Sequence, residues 1–326
     1  MRVAVLGGGA WGTALASHCS RLGLPVRLWA REAEVVQAVN ERRENPAYLP
    51  DVELAPGVRA YAAMEEALAG AEIALVVVPS EYCRGVYRQL RPIMPAATLL
   101  VSATKGLEID TLRRMTEVAA EETPGHHVVA LSGPSFALEV ARALPTAVVA
   151  ASREPAAAES VQRALSSRTF RVYSSEDVVG VELGGSLKNV IAIAAGIVDG
   201  LGYGHNTVAA LVTRGLAEMS RLAVTLGARP ETLAGLAGLG DLVLTCTGAL
   251  SRNRRVGHGL GRGLSLAEAS RGIVAEGVRT TLAACALAQR AGVEMPIARQ
   301  MKAVLHEGKP PRDALDELML RSLKRE

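Results

Sequence analysis

Short apolar runs alternate with segments of helical periodicity over the first half of the chain. Unbroken apolar runs of this kind are typical of strands that are buried on both faces of a sheet. They predict strands at residues 2–6, 26–30, 73–78, 98–102, 128–132, 146–151 and 170–173. Helices are predicted between the strands, for example up to about Leu22 and over Glu32–Arg42, and residues 45–57 are predicted to be a proline-containing loop. Strands that alternate with helices indicate a mostly parallel sheet covered by helices on both faces.

The pattern changes after about Ser174, where strand signals end and helical segments follow one another. Helices are predicted at residues 178–198, 208–226, 231–237, 252–259, 265–270, 280–291 and 296–305. A chain of 326 residues is long enough for two domains of ordinary size. We therefore predict an α/β domain over residues 1–178 and an all-α domain over residues 179–326.

Composition excludes several classes of function. The net charge is only +3 and aromatic residues make up 3% of the chain, so we expect no nucleic-acid partner. The four cysteines show no CxxC spacing and the histidines no metal-ligand spacing, so we predict no metal site. There is no signal-peptide pattern, and Asp199 interrupts the longest apolar stretch, so we expect no membrane span and a cytoplasmic location.

A glycine-rich loop follows the first predicted strand in the sequence VAVLGGGAWGTALA. Gly7, Gly9 and Gly12 have the GxGxxG spacing that binds dinucleotides between a strand and a helix. Gly7 is expected to permit the tight turn, Gly9 the close approach of a pyrophosphate, and Gly12 close packing of helix on strand. The loop therefore predicts a doubly wound, Rossmann-like sheet that binds a nicotinamide dinucleotide.

The end of the second strand bears on the choice of cofactor. NAD sites usually have an acidic residue there for the ribose 2′-hydroxyl. This chain has Arg31, with Glu32 one position later. A guanidinium pairs well with a 2′-phosphate, so we predict NADP as the preferred cofactor and NAD as the other; alternatively, Arg31 only lies in solvent at the sheet edge.

Lys188 is the strongest candidate for catalysis. It lies in VELGGSLKNVIAIAAGIV, a stretch that has the spacing of a buried helix and little other charge. A lone buried ammonium is unfavourable unless it is paired or its pKa falls. Small residues such as Gly184 and Gly185 surround it, which indicates that something approaches closely. Lys188 is therefore interpreted as a catalytic lysine in a cleft, with a lysine that extends to the helix edge as the alternative.

Three other segments contain polar and charged residues that are typical of a ligand-binding site. Lys105 and the segment Gly133-Pro-Ser135 each follow a predicted strand, at the sheet edge where such folds bind ligands. Asp241 follows a glycine-rich turn, and Ser251-Arg252-Asn253-Arg-Arg contains guanidinium groups suited to one phosphate. The simpler alternatives are a surface lysine, a helix N-cap aspartate and a solvated basic face.

Taken together, these motifs resemble bacterial NAD(P)-dependent glycerol-3-phosphate dehydrogenases. The resemblance covers residues 1 to about 320 in order and includes the segments GGGAWGTALA, SATKG, SGPSFA, LGGSLKNVIAIAAGIVDGLGYGHN, GLGDLVLTCTGALSRNRRVG and VAEGVRT. It implies reversible reduction of dihydroxyacetone phosphate to sn-glycerol 3-phosphate, which supplies glycerophospholipid synthesis.

The resemblance also implies a role for individual residues. Lys188 is the proton donor and acceptor, and Lys105 contacts both substrate and cofactor; on physical grounds we expect Asp241 to orient the Lys188 ammonium. Ala10 stands where many relatives have serine. Cofactor contacts are implied at Gly7, Gly9, Ala10, Trp11, Gly12, Arg31, Lys105, Ala137, Arg252, Val274 and Glu276. Substrate contacts are implied at Lys105, Gly133, Ser135, Lys188, Asn189, Asp241, Thr245, Ser251, Arg252 and Asn253.

Other functions stay open at this point. The protein could be a Rossmann-type dehydrogenase of a small hydroxy acid, since carboxylates also bind arginine, or a dinucleotide sensor without catalysis. We predict an active site in the cleft between the two domains. The Ala- and Leu-rich helices of the second domain are candidates for a homodimer interface.

Overall fold

The computed structural model describes residues 1–321, so the end of the predicted 179–326 domain lies outside the described residues. One eight-stranded sheet has the order β3-β2-β1-β4-β5-β6-β7-β8. Its strands are β1 Val3–Leu6, β2 Val26–Trp29, β3 Val58–Tyr61, β4 Ile73–Val76, β5 Leu99–Ser102, β6 Val128–Ser132, β7 Thr146–Ala151 and β8 Phe170–Ser175. All neighbouring strands are parallel except β6 and β7, which are antiparallel.

Both faces of this sheet are buried, which explains the unbroken apolar runs. In β1, Val3 and Val5 face one core cluster, and Ala4 and Leu6 face the other. The strands are linked by helices α1 Ala10–Arg21, α2 Ala33–Arg42, α3 Met64–Leu68, α4 Ser80–Leu90, α5 Met115–Glu122, α6 Ala137–Ala141 and α7 Pro155–Leu165.

The remainder of the described chain is helical. Its helices are α8 Val178–Gly200, α9 His205–Thr225, α10 Pro230–Ala234, α11 Asp241–Thr247, α12 Arg252–Gly261, α13 Leu266–Ala269, α14 Glu276–Ala291, α15 Pro296–His306 and α16 Pro311–Met319. A π-helical turn, Leu236–Gly240, separates α10 from α11. The predicted fold class, an α/β Rossmann-like doubly wound sheet followed by an all-α domain, is confirmed.

Several elements differ from the prediction. Strand β3 at the sheet edge was not predicted, because only two of its four residues are buried. The helix predicted to reach Ala237 ends at Ala234, where Gly235 turns the chain into the π-helical turn. Helices α11 and α16 were also missed. Both are short, and short helices give few periods for a sequence pattern to repeat.

The chain divides into two compact units. The first comprises Met1–Lys105 and Arg113–Glu182, and the second comprises Gly106–Leu112 and the chain from Leu183 onward. Among the described residues, α8 is the one helix long and apolar enough to cross a membrane, but its most apolar window is completely buried in protein. A core helix of a water-soluble protein has this property, so α8 does not indicate a membrane protein.

Candidate active site

The glycine loop of the first unit has the geometry that its sequence predicted. Gly7 has a φ of 134°, and a Cβ there would lie 2.4 Å from the carbonyl oxygen of Val77. A Cβ on Gly12 would lie 1.9 Å from the carbonyl oxygen of Gly7, so only glycine lets α1 start this close to the loop. A Cβ on Gly9 would meet no heavy atom within 4 Å, so the outer side of the loop is open.

These features fit a dinucleotide. The loop leads into α1, a helix of twelve residues whose first turn contains no acidic side chain. Amide N–H groups at the start of a helix favour a bound phosphate. Ala10 and Trp11 are the first two residues of α1, so both lie in the turn where the phosphate is expected to bind.

Arg31 follows β2 and is the exposed end of a small polar cluster. Its side chain is 74% exposed, and its Nη2 lies 3.3 Å from Glu32 Oε1. The hydroxyl of Tyr48 donates to the same Glu32 oxygen at 3.4 Å. The guanidinium carbon lies 6.0 Å from the centre of the Tyr82 ring. Tyr48, in the loop after α2, and Tyr82, in α4, therefore lie near Arg31 and Glu32; sequence reasoning overlooked them because they are distant from Arg31 in the chain.

Lys105, Gly133 and Ser135 lie together, beyond the carboxyl ends of the neighbouring strands β5 and β6. Lys105 Nζ donates to the carbonyl oxygen of Gly133 at 2.8 Å and lies 3.5 Å from Ser135 Oγ. Gly133 has a φ of 135°, a conformation that favours glycine. Ala137 begins α6 just beyond this segment. The lysine is thus held by the loop of the next strand rather than extended into solvent.

Lys188 forms a buried ion pair in the second unit. Its Nζ donates to Asp241 Oδ1 at 2.7 Å and to Thr245 Oγ1 at 2.6 Å. Thr245 donates its own hydroxyl to the backbone oxygen of Asp241 at 2.6 Å, so its lone pair is directed at the lysine. The side chains of Lys188 and Asp241 are only 7% and 1% exposed. Lys188 therefore does not extend to the helix edge, and Asp241 pairs with it instead of capping a helix.

The small residues around Lys188 are explained by the segment that carries Asp241. A Cβ on Gly184, one turn before Lys188, would lie 2.4 Å from the backbone oxygen of Ala237 in the π-helical turn. A Cβ on Gly238 would lie 2.0 Å from the backbone oxygen of Leu233. Glycine at position 184 lets the turn pack backbone against backbone on α8, and glycine at position 238 lets the turn fold closely against the end of α10. Single π-helical turns occur frequently at functional sites, and here the turn delivers Asp241 to Lys188.

Helix α12 packs on α8 in the same way and brings the SRNRR segment to it. A Cβ on Gly196 would lie 2.0 Å from the backbone oxygen of Arg254, and one on Gly257 would lie 2.0 Å from that of Ile193. Ser251 is the N-cap of α12, and its hydroxyl accepts from the Arg254 amide at 3.2 Å. Arg252 is exposed at the first position of the helix.

A chain of side-chain amides joins α8, α12 and α14. Asn253 Nδ2 donates to Asn189 Oδ1 at 2.9 Å, and Asn253 Oδ1 accepts from the Gly277 amide at 2.9 Å. Desolvation lowers the pKa of Arg252, and the negative charge of Glu276, the first residue of α14, partly opposes this effect. Asn189, Arg252, Asn253 and Glu276 are thus close neighbours. Val274, by contrast, is 52% exposed in the turn before α14.

Cys246 is a buried neighbour of this site that the sequence analysis did not assign to it. It lies in α11 between Thr245 and Thr247, and burial raises the pKa of its thiol to about 12. The positive charge of Lys188 acts in the opposite direction. A thiol with so high a pKa is protonated at neutral pH, so Cys246 contributes packing next to Lys188 rather than a nucleophile.

Comparison with known proteins identifies the family. The N-terminal sequence model of NAD-dependent glycerol-3-phosphate dehydrogenase matches residues 2–158, and the C-terminal model matches residues 177–316. The chain is 55% identical to a glycerol-3-phosphate dehydrogenase [NAD(P)+] from Geobacter sulfurreducens, over 100% of this chain and 98% of the relative. It is 56% identical to one from Koribacter versatilis, over 98% and 97% of the two chains.

A solved structure agrees with the sequence relatives. The crystal structure of glycerol-3-phosphate dehydrogenase from Coxiella burnetii superimposes with a TM-score of 0.95 at 44% identity, covering 98% of this chain and 99% of that one. The resemblance drawn from the motifs is therefore confirmed over the whole described chain. The protein belongs to the NAD-dependent glycerol-3-phosphate dehydrogenase family.

Proposed function

We propose that the protein catalyses reversible hydride transfer between NAD(P)H and dihydroxyacetone phosphate, which gives sn-glycerol 3-phosphate. The observation that carries this proposal is the buried ion pair of Lys188 with Asp241, which Thr245 completes. A lysine held in this way has a defined position for its proton, unlike a flexible surface lysine.

Lys188 acts as the acid in the reductive direction. When bound, the nicotinamide cofactor supplies hydride to the carbonyl carbon of the substrate. Negative charge then develops on the carbonyl oxygen, where the Lys188 ammonium stabilises it and donates a proton. In the oxidative direction the neutral amine takes the proton of the substrate hydroxyl. Asp241 and Thr245 hold Nζ in place throughout.

We expect the phosphate of the substrate to bind at the N-terminus of α12. Arg252 is the first residue of α12, its guanidinium is partly desolvated, and Ser251 and Asn253 flank it. A guanidinium binds phosphate through two parallel hydrogen bonds. Binding energy from this remote group orients the reacting carbonyl. Lys105, Gly133, Ser135 and Asn189 complete the proposed substrate contacts.

The dinucleotide is expected at the glycine loop. Gly7, Gly9 and Gly12 shape the loop, and α1 favours the pyrophosphate from its N-terminus. The exposed guanidinium of Arg31 favours the 2′-phosphate of NADP over the 2′-hydroxyl of NAD. Further cofactor contacts are proposed at Ala10, Trp11, Lys105, Ala137, Arg252, Val274 and Glu276.

The biological setting follows from this activity. We infer a cytoplasmic enzyme that supplies sn-glycerol 3-phosphate for glycerophospholipid synthesis, with a homodimer as the expected assembly. Size-exclusion chromatography with light scattering measures the mass of the assembly directly. A monomer at micromolar concentration would contradict the homodimer.

The decisive assay follows NADPH oxidation with dihydroxyacetone phosphate and with unphosphorylated dihydroxyacetone. We expect fast turnover with the phosphorylated ketone alone, because only this substrate can use the Arg252 guanidinium. Lys188→Met is expected to lower kcat by several orders of magnitude with little change in the Kd for NADPH. Turnover of a small hydroxy acid instead, or an unchanged kcat in the variant, would refute the proposal.

A control separates chemistry from folding in that variant. Lys188→Met leaves the buried carboxylate of Asp241 without its cation, which is strongly destabilising in general. The double variant Lys188→Met with Asp241→Asn removes that charge as well. We expect the double variant to recover stability but not activity, because the missing group is the proton donor.

A further inference from the structure

The glycine loop is anchored from inside the first unit by a residue remote in sequence, Asn45. Asn45 is completely buried in the loop after α2. Its Nδ2 donates to the carbonyl oxygen of Gly8 at 2.8 Å and to Thr13 Oγ1 at 2.8 Å. The Thr13 hydroxyl in turn donates to the same Gly8 oxygen at 3.3 Å. One backbone carbonyl of the loop thus receives two side-chain hydrogen bonds.

The backbone of Asn45 is itself held in place. Its carbonyl oxygen accepts from the Leu49 amide at 2.8 Å and from the Tyr48 amide at 3.3 Å. Leu49 is buried in the core of the sheet. Within residues 1–321, Asn45 Oδ1 has no hydrogen-bond partner. The hydrogen bonds of this buried amide are therefore made by its donor side, toward Gly8 and Thr13.

The orientation of the Gly8 carbonyl determines that of the next amide. In a planar trans peptide, the carbonyl oxygen of Gly8 and the N–H of Gly9 point in opposite directions from the C–N bond that joins the two residues. Because the oxygen points inward to Asn45, the Gly9 N–H points to the other side. The position of a Cβ on Gly9 is open to at least 4 Å. A carbonyl turned outward would instead present a negative dipole to the pyrophosphate.

Three successive glycines make this loop easy to misorient. Gly7, Gly8 and Gly9 lack the Cβ atoms that restrict φ and ψ in other residues. A rotated Gly8–Gly9 peptide is therefore opposed mainly by hydrogen bonds. We propose that Asn45, with Thr13, is a positioning residue that fixes the Gly8–Gly9 peptide so that its N–H group faces the pyrophosphate of the dinucleotide. This inference rests on the proposed cofactor site.

The test replaces the donors without changing the shape of the side chain. Asn45→Asp removes both donated hydrogen bonds, and Thr13→Val removes the hydroxyl, whereas Thr13→Ser keeps it. We expect Asn45→Asp to raise the Kd for NADPH at least tenfold, and Thr13→Val about threefold, with Thr13→Ser near the wild-type value. The kcat at saturating NADPH and the KM for dihydroxyacetone phosphate should change less than threefold, because these measure the enzyme with its cofactor already bound.

Asn40 provides a matched control in the same unit. Its amide also bridges to backbone, with Nδ2 donating to the Ala60 oxygen and Oδ1 accepting from the Ala60 amide, both at 2.9 Å, but it does not contact the glycine loop. We expect Asn40→Asp to leave the Kd for NADPH within twofold of wild type, even if its Tm falls.

The outcomes separate the inference from the function on which it rests. Folded Asn45→Asp and Thr13→Val variants that bind NADPH as tightly as wild type would overturn the positioning role and leave the proposed function standing. An equal loss of affinity in Asn40→Asp would also overturn it, because the effect would then be general loosening. Wild-type protein that fails to bind NADPH or NADH would overturn the proposed cofactor site and this inference together.

Discussion

Replacement of Gly184 by alanine tests whether close backbone packing places Asp241 at Lys188. The new Cβ would lie 2.4 Å from the backbone oxygen of Ala237, 3.0 Å from its carbonyl carbon and 3.3 Å from the Cα of Gly238. All three atoms belong to backbone, so no side chain can rotate away. The π-helical turn must retreat by roughly 1 Å to reach ordinary van der Waals separation.

Displacement of the π-helical turn would disturb Lys188, the proposed proton donor, through its partner Asp241. Asp241 follows the turn without a break, and its Oδ1 lies 2.7 Å from Lys188 Nζ. A displacement of this size turns a good hydrogen bond into a poor one. Misplacement of a catalytic group by about 1 Å can cost about 100-fold in rate. Overpacking of this kind costs about 1–3 kcal/mol of stability. We therefore expect Gly184→Ala to lower kcat by about 100-fold and to remain folded.

The assay measures kcat at saturating NADPH and dihydroxyacetone phosphate, and the free energy of unfolding by urea denaturation. Gly85→Ala is the matched control, because Gly85 lies inside α4 and its Cβ would meet no heavy atom within 4 Å. We expect that substitution to stabilise the protein by about 0.5–1 kcal/mol with unchanged kcat. A Gly184→Ala variant that loses stability but keeps wild-type kcat would refute the positioning role of the turn.

Three other predictions concern the cofactor, the substrate phosphate and pH. Arg31→Ala should lower kcat/KM for NADPH at least tenfold and leave that for NADH nearly unchanged, because only NADPH carries the 2′-phosphate; an unchanged ratio of the two values would contradict the assignment. Arg252→Ala should mainly raise the KM for dihydroxyacetone phosphate, and a loss of kcat with KM intact would count against a phosphate contact. Burial raises the pKa of Glu218 to about 7, although its carboxylate accepts from the Ile297 amide at 2.8 Å. The folded protein then keeps a proton that the unfolded chain releases at its ordinary pKa of 4.5. Urea denaturation should therefore show that wild type loses on the order of 3 kcal/mol relative to Glu218→Gln as pH rises from about 4.5 to 7; parallel pH profiles would refute this.

Much of the fold could be predicted from local patterns. The apolar runs located seven of the eight strands, and the change of periodicity after Ser174 marked the start of the helical region. Strand β3 was missed because an edge strand with one exposed side shows too short an alternation to stand out. The antiparallel pairing of β6 with β7 was equally invisible, because strand direction depends on the path of the connecting chain.

The sequence identified most of the candidate site residues, but it could not show which of them contact one another. Lys188 was singled out as a charge within an apolar helix, and Asp241 as an acid after a glycine-rich turn. Their pairing spans 53 residues, and it became plausible only through the family resemblance. Asn45 was not predicted at all, because a single asparagine in a proline-containing loop is an ordinary turn residue.

The sequence by itself determined the alternation of strands and helices, the glycine turn that precedes α1, and the presence of a lysine that must be paired when its helix is buried. These properties follow from hydrophobic periodicity, from the steric freedom of glycine and from the cost of burying a charge, all of which act locally. Only the tertiary structure decided which atoms satisfy that lysine, which backbone passes over Gly184, and which side chain holds the Gly8 carbonyl. Such partners are brought together by close packing between segments distant in the chain, and no local pattern specifies that packing.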